Sequence, residues 1–122
     1  MDIKSLMIGD WVYDTLSQTD IKVNRGCFEI NPLNGICYAE NLIPIPLTGE
    51  ILEKNGWIKD GYFYRAKDGS YIQLGQLFEH ATFSCRKDGI NREVITSPSI
   101  LKYVHQLQHA LRLCGISKEI EL

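Results

Sequence analysis

The tripeptide Lys-Asp-Gly occurs three times, at Lys59–Gly61, Lys67–Gly69 and Lys87–Gly89. Each copy lies between β-prone runs: Trp57-Ile58, Tyr62–Arg65, Ser70–Leu74, Ala81–Arg86 and Ile90–Ile95. Asp-Gly suits a two-residue hairpin turn, because Gly adopts positive φ without strain and Asp tolerates it. Strands joined by such short turns must run antiparallel, since a parallel pair needs a crossover of a dozen or more residues. The second half of the chain is therefore expected to hold a hairpin meander. Spacings of 8 and 20 residues between copies do not make a true repeat. A calcium loop of the EF-hand type needs oxygen ligands at alternate positions and a closing Glu, and none of the three tripeptides has that setting.

A helix is expected on either side of the meander. Before it, Thr48 can cap a short helix with Glu50 and Glu53 in its first turns and Gly56 at its end. Ile51, Leu52 and Trp57 would face inward. After it, Ser97 or Ser99 can cap a longer helix with Pro98 near its start and Gly115 at its end. Its apolar stripe is Ile100, Val104, Leu107, Leu111 and Cys114. Tyr103, Ala110 and Leu113 form a second apolar flank, expected to meet either the N-terminal strands or a second copy of the chain. Residues 116–122 read as a short tail.

Residues 1–47 read as short strands: Trp11–Tyr13 after a Gly9-Asp10 turn, then Ile21–Val23, Cys27–Ile30 and Ile36–Ala39. Ile43-Pro44-Ile45-Pro46 cannot be a central strand, because proline lacks a ladder donor. The Gly-Asp start leading into Trp11-Val12-Tyr13 is similar to an SH3-like small barrel, a likeness of fold that carries no function. The expected class is α+β: SH3-like antiparallel strands in 1–47, then helix, meander and C-terminal helix in 48–122. These form one compact domain over 1–122, since 47 residues of short strands make a marginal core alone.

Composition excludes several function classes. Leu, Ile, Val and Phe total 36 of 122 residues, too many for a disordered chain. Thirteen Lys and Arg against fifteen Asp and Glu give a net charge of −2, not the basic excess of a nonspecific nucleic-acid binder. No apolar run is long enough to span a membrane. Met1-Asp2-Ile3-Lys4-Ser5 lacks the opening of a signal peptide, so a cytoplasmic location is expected. Cys27, Cys37, Cys85 and Cys114 contain no closely spaced pair of the zinc-ribbon kind, and they are expected to be reduced and mostly buried.

Chemistry-bearing clusters are few. His105 and His109 share a helix face at the spacing of zinc-protease ligands, but Gln106 stands where the general-base Glu belongs. Both His are expected on the polar side of the helix, solvated, with no metal. Ser84-Cys85 and His80 fall on opposite faces of a strand, which leaves Cys85 as a core residue. No catalytic constellation and no cofactor site emerge, so a non-enzymatic protein is expected.

The candidate binding residues are Trp11, Tyr13, Tyr62, Tyr64, Tyr103, His105, Gln106 and Gln108. Alternation points Tyr62 and Tyr64 one way and Phe63 into the core. The two Tyr could stack on a ligand or base, or pack across strands against Tyr71.

Three segments, in order, suggest a family: Leu6–Tyr13 (L-M-I-G-D-W-V-Y), Ile45–Gly56 (I-P-L-T-G-E-I-L-E-K-N-G) with Trp57, and Tyr103–Gln108 (Y-V-H-Q-L-Q). Together they resemble a family of small uncharacterised proteins of Bacteroidetes bacteria, their prophages and mobile elements. The chain departs from the family pattern at Asp10, Trp57 and His109. The resemblance implies a cytoplasmic bacterial or phage accessory protein of unknown function. A non-enzymatic accessory or protein-interaction role is expected, with an unknown protein partner or self-association through the C-terminal helix. The alternative is a nucleic-acid-binding module that uses barrel aromatics and the local basic residues Lys22, Arg25, Arg86, Lys87 and Arg92.

Overall fold

The structure is a computed structural model that describes residues 5–61, 63–66, 70–73, 82–87, 90–94, 102–113 and 115–122. Antiparallel sheets and helices make it α+β. The chain divides into two compact units, Met1–Ile45 and Pro46–Leu122.

The first unit is built on an open three-stranded sheet of order β2-β1-β3, from β1 (Trp11–Asp14), β2 (Thr19–Lys22) and β3 (Leu42–Pro44). No closed barrel is detected among the described strands. Two aspartates on the inward face of β1 tie off its ends. Asp10, fully buried, accepts from the Met7 amide at 2.8 Å and closes the turn in which Gly9 takes a φ of 93°. Asp14, also buried, accepts from the Leu16 amide and the Ser17 hydroxyl inside the β1–β2 link. Between them Val12 joins Leu6, Val23, Cys27, Ala39 and Leu42 in the unit's core. Pro44 lies opposite Val12 on the edge strand β3, the place in a sheet where a proline is tolerated.

The strands expected at Cys27–Ile30 and Ile36–Ala39 do not form. Two 3-10 helices, Arg25–Phe28 and Tyr38–Asn41, stand there, joined by the single antiparallel bridge Ile30↔Cys37. Between the two helices, local side-chain bonds hold a loop in place of a hairpin. Asn31 accepts from the Leu33 amide and Asn34 from the Ile36 amide, both at 2.9 Å. Such bonds satisfy the backbone without a ladder.

The second unit opens with Pro46 bridged to Tyr103 and the Leu47 amide donating to the Lys102 carbonyl. Helix α1 (Gly49–Lys54) follows, capped by the Thr48 hydroxyl on the Ile51 amide at 3.3 Å. Its end is a Schellman motif: Gly56 at φ 93°, its amide on the Glu53 carbonyl and the Trp57 amide on the Leu52 carbonyl. Leu52 and Trp57 are both fully buried.

The meander has the order β4-β5-β6-β7-β8, with strands Ile58–Asp60, Phe63–Arg65, Ser70–Gln73, Thr82–Lys87 and Ile90–Val94. The pair Asp60↔Phe63 makes Gly61, at φ 61°, the first residue of a two-residue link. Lys67–Gly69, Asp88 and Gly89 lie outside the described residues.

Helix α2 (Val104–Leu113) starts later than the sequence suggests. Lys102 is not helical and Tyr103 sits in the bridge to Pro46. The expected caps Ser97 and Ser99, with Pro98 and Ile100, lie outside the described residues, as does Cys114. At the far end a second Schellman motif forms: Gly115 takes a φ of 69°, with the Gly115 amide on Arg112 and the Ile116 amide on Leu111. The same sequence device, glycine one residue past the last turn, thus ends both helices.

Candidate functional site

The first unit carries a groove of about 600 Å³. Leu16, Ile30, Ile36 and Tyr38 form its apolar lining and are exposed by 64, 68, 45 and 39%. Aliphatic side chains are held out here because the chain between Phe28 and Tyr38 is a loop stitched by its own asparagines. Asn31, Asn34 and Asn41 also line the groove. Each bonds the chain through one half of its carboxamide: the oxygens of Asn31 and Asn34 accept, and the Asn41 nitrogen donates to the Tyr38 carbonyl. The opposite halves offer amide donors and acceptors beside the apolar side chains. Glu29 also lines the groove, and no Lys or Arg does among the described residues.

Tyr38 is anchored. Its hydroxyl donates to the buried Asp14 carboxylate. The Tyr38 hydroxyl, ahead of the bonds from Ser17 and the Leu16 amide, holds Asp14 below the usual carboxylate value; burial opposes this in part. The same bond, followed by burial and the carboxylate charge, raises Tyr38 above the usual phenol value. The ring is therefore a neutral wall of the groove with its hydroxyl pinned.

The residues singled out in the sequence scatter over other surfaces. Trp11 and Tyr13 lie half-buried on the outward face of β1, and the Lys22 ammonium stands 5.3 Å from the Trp11 ring centre. Tyr64 is buried, 4% exposed, so it is no stacking platform. Its hydroxyl lies so close to Gly49 that a Cβ there would come within 2.5 Å of it. Tyr62 and the side chains of Phe63, Tyr71, Cys85, Arg86, Lys87 and Arg92 lie outside the description.

The helix motif needs a larger correction. His105, expected to be solvated, is buried, 5% exposed, and His109 is half-buried; Gln108 is buried as well, 8% exposed. At about 100° per residue, the buried positions of α2 run from Ala110 through Val104 to His105, an arc of roughly 220°. A stripe on one sheet would cover less than half of that. Tyr103 stacks on His105 with ring centres 5.8 Å apart, and His109 meets His105 edge-on at 5.7 Å. The Gln106 side chain accepts from the Lys102 and Tyr103 amides at 2.7 and 3.0 Å, the glutamine half of a capping box. Of the second flank, Ala110 is fully buried and Leu113 is 70% exposed.

Among the described residues no three His, Cys, Asp or Glu converge as metal ligands. Cys27 and Cys37 are free thiols, and Cys37 donates to the Cys27 carbonyl. No helix of the described residues is long and apolar enough to cross a membrane. The sequence reading missed Leu16, Ile30, Ile36 and Tyr38. The only signal was at Ile30 and Ile36, isolated aliphatic residues beside Asn31 and Asn34. Comparison with family models, curated proteins and solved structures finds no match for the chain.

Proposed function

We propose that the chain is a non-enzymatic accessory or protein-interaction protein of a bacterium or of its prophage or mobile elements, acting in the cytoplasm. It grips an extended, apolar segment of a partner protein in the groove of the first unit. The observation that carries this reading is the groove's lining of four exposed apolar side chains beside three half-engaged carboxamides. Aliphatic pockets take alternate side chains of an extended segment, and carboxamides pair with its peptide groups. With Glu29 as its charged residue, the lining would repel a phosphate backbone.

One observation favours the nucleic-acid alternative: the Trp11–Lys22 pair with Tyr13 on the same face of β1. A random peptide library panned on the protein, alongside single-stranded oligonucleotides at rising salt, separates the two. Aliphatic-rich peptides whose binding disappears in Ile30→Asp support the groove. Tight oligonucleotide binding with a steep salt dependence, abolished by Lys22→Glu and indifferent to Ile30→Asp, overturns it.

A further inference from the structure

Within the second unit, residues 116–122 do not trail away as a tail. Ile116, Lys118 and Leu122 are half-buried and Ile120 is 2% exposed, while Ser117, Glu119 and Glu121 are exposed. This alternation is that of an extended segment laid in a groove. The end of α1 receives it. Asn55 Nδ2 donates to the Glu121 carbonyl at 2.8 Å, and Asn55 Oδ1 accepts from the Glu121 amide at 2.7 Å. One carboxamide thereby pairs with both main-chain groups of one residue, as a neighbouring strand would. Lys54 Nζ donates to the Leu122 carbonyl. The Lys118 ammonium lies 3.9 Å from the centre of the buried Trp57 ring.

We propose that this surface is a peptide-recognition site whose resident ligand is Ile116–Leu122, and that it accepts the same segment from a second copy of the chain. Three features carry the inference. Asn55 and Lys54 exchange hydrogen bonds with main-chain atoms of the segment, and any second copy presents those atoms together with the same Ile120 and Lys118. The contacts that fasten the segment include one fully buried side chain, the Lys118 ammonium on the Trp57 ring and hydrogen bonds at exposed positions. Such a segment opens at a small fraction of the free energy of global unfolding. Gly115, at φ 69°, supplies a hinge just before it. Exchange between copies then conserves the contacts that the segment makes with Lys54, Asn55 and Trp57, the condition under which swapping forms dimers at low cost. The tethered segment has an effective concentration on the order of millimolar, so the dilute native protein is monomeric and exchange shows where one chain's own segment is disabled.

The test uses two full-length variants, each crippled in one half. Asn55→Ala weakens the site and leaves the segment intact. Ile120→Asp spoils the segment and leaves the site intact. Each alone is expected to sediment as a monomer, and their equimolar mixture as a heterodimer. A labelled synthetic peptide covering Ile116–Leu122 is expected to bind Ile120→Asp, and roughly tenfold more weakly once Asn55→Ala is added, the equivalent of two ordinary hydrogen bonds. Circular dichroism checks the fold, and Ile120→Ala replaces Ile120→Asp if the latter unfolds. A mixture that stays monomeric overturns the second copy as occupant even if the peptide binds. A folded Ile120 variant that ignores the peptide overturns the recognition site itself.

Discussion

Asp14 shows how one side chain can serve both a turn and a surface. Its carboxylate takes hydrogen bonds from the β1–β2 link and from Tyr38, which faces the groove. The Tyr38 bond is the largest cause of its lowered pKa. The resulting stabilisation is present above about pH 4, where the unfolded carboxyl is already ionised, and is lost as pH falls through the folded-state value. Tyr38 behaves in the opposite sense: its pKa is raised, so its share is present below about pH 10 and lost as pH rises through the folded-state value. Tyr38→Phe is expected to move the Asp14 carboxyl titration, followed by carbon NMR, back toward the ordinary value. It should also flatten the acid limb of the stability profile. An unmoved titration would mean that the hydroxyl is not what holds Asp14 ionised. A second residue-scale test concerns Gly49. Alanine is the better helix former by about 1 kcal/mol, yet its Cβ would stand 2.5 Å from the Tyr64 hydroxyl and 3.5 Å from the carbon that bears it. Overpacking of this kind costs about 1–3 kcal/mol, so Gly49→Ala is expected to destabilise. Adding Tyr64→Phe, which leaves only the 3.5 Å contact, should recover most of the loss in urea denaturation.

Helix α2 depends on its first turn in a way that the motif around it did not reveal. Gln106 accepts from two amides at the helix start, so Gln106→Ala is expected to cost about 0.5–2 kcal/mol. Gln106→Glu should hold or improve stability, because a carboxylate near a helix N-terminus is favoured by the dipole. Leu107→Ala, at a fully buried position, should cost about 2–5 kcal/mol, and Leu113→Asp at the exposed edge close to nothing. The meander and the ends of both helices were legible because each rests on local rules: β-prone runs, a threonine cap, and glycine at positive φ. The 3-10 helices were not legible, because Cys27-Phe28 and Tyr38-Ala39 carry β-prone side chains, whereas the bond from the Asn41 side-chain amide to the Tyr38 carbonyl exists only in the folded loop. The burial of His105 and Gln108 was hidden for a different reason. A helical wheel ranks faces by polarity, whereas enclosure over more than half of the circumference is a property of the assembled unit. The groove could not be read either, since Leu16 and Ile30 are far apart in sequence and meet only through folding.

The molecule's two units are unequal in what they bury. Among the described residues, the largest fully buried side chains of the second unit are Trp57, Leu52, Leu107, Leu111 and Ile120, whereas those of the first are Val12, Val23 and Asp10. Buried apolar area stabilises by about 25 cal/mol per Å², and the cluster of Leu6, Val12, Val23, Cys27, Ala39 and Leu42 removes less of it from water than a core holding Trp57, Leu52, Leu107, Leu111 and Ile120. In native-state hydrogen exchange of the full chain, the amides of β1 and β2 are therefore expected to open at lower free energy than those of α1 and α2. Leu42→Ala should widen the gap by accelerating exchange in the first unit alone, because Leu42 belongs to that unit's own cluster. The expectation matters for binding, since a partner segment seated in the groove would stabilise the first unit in proportion to its occupancy. A groove-binding peptide should accordingly slow exchange in β1 and β2 and leave α2 unchanged. Equal protection in both units, falling together in Leu42→Ala, would instead show one cooperative domain in which the groove cannot be ordered or opened by itself.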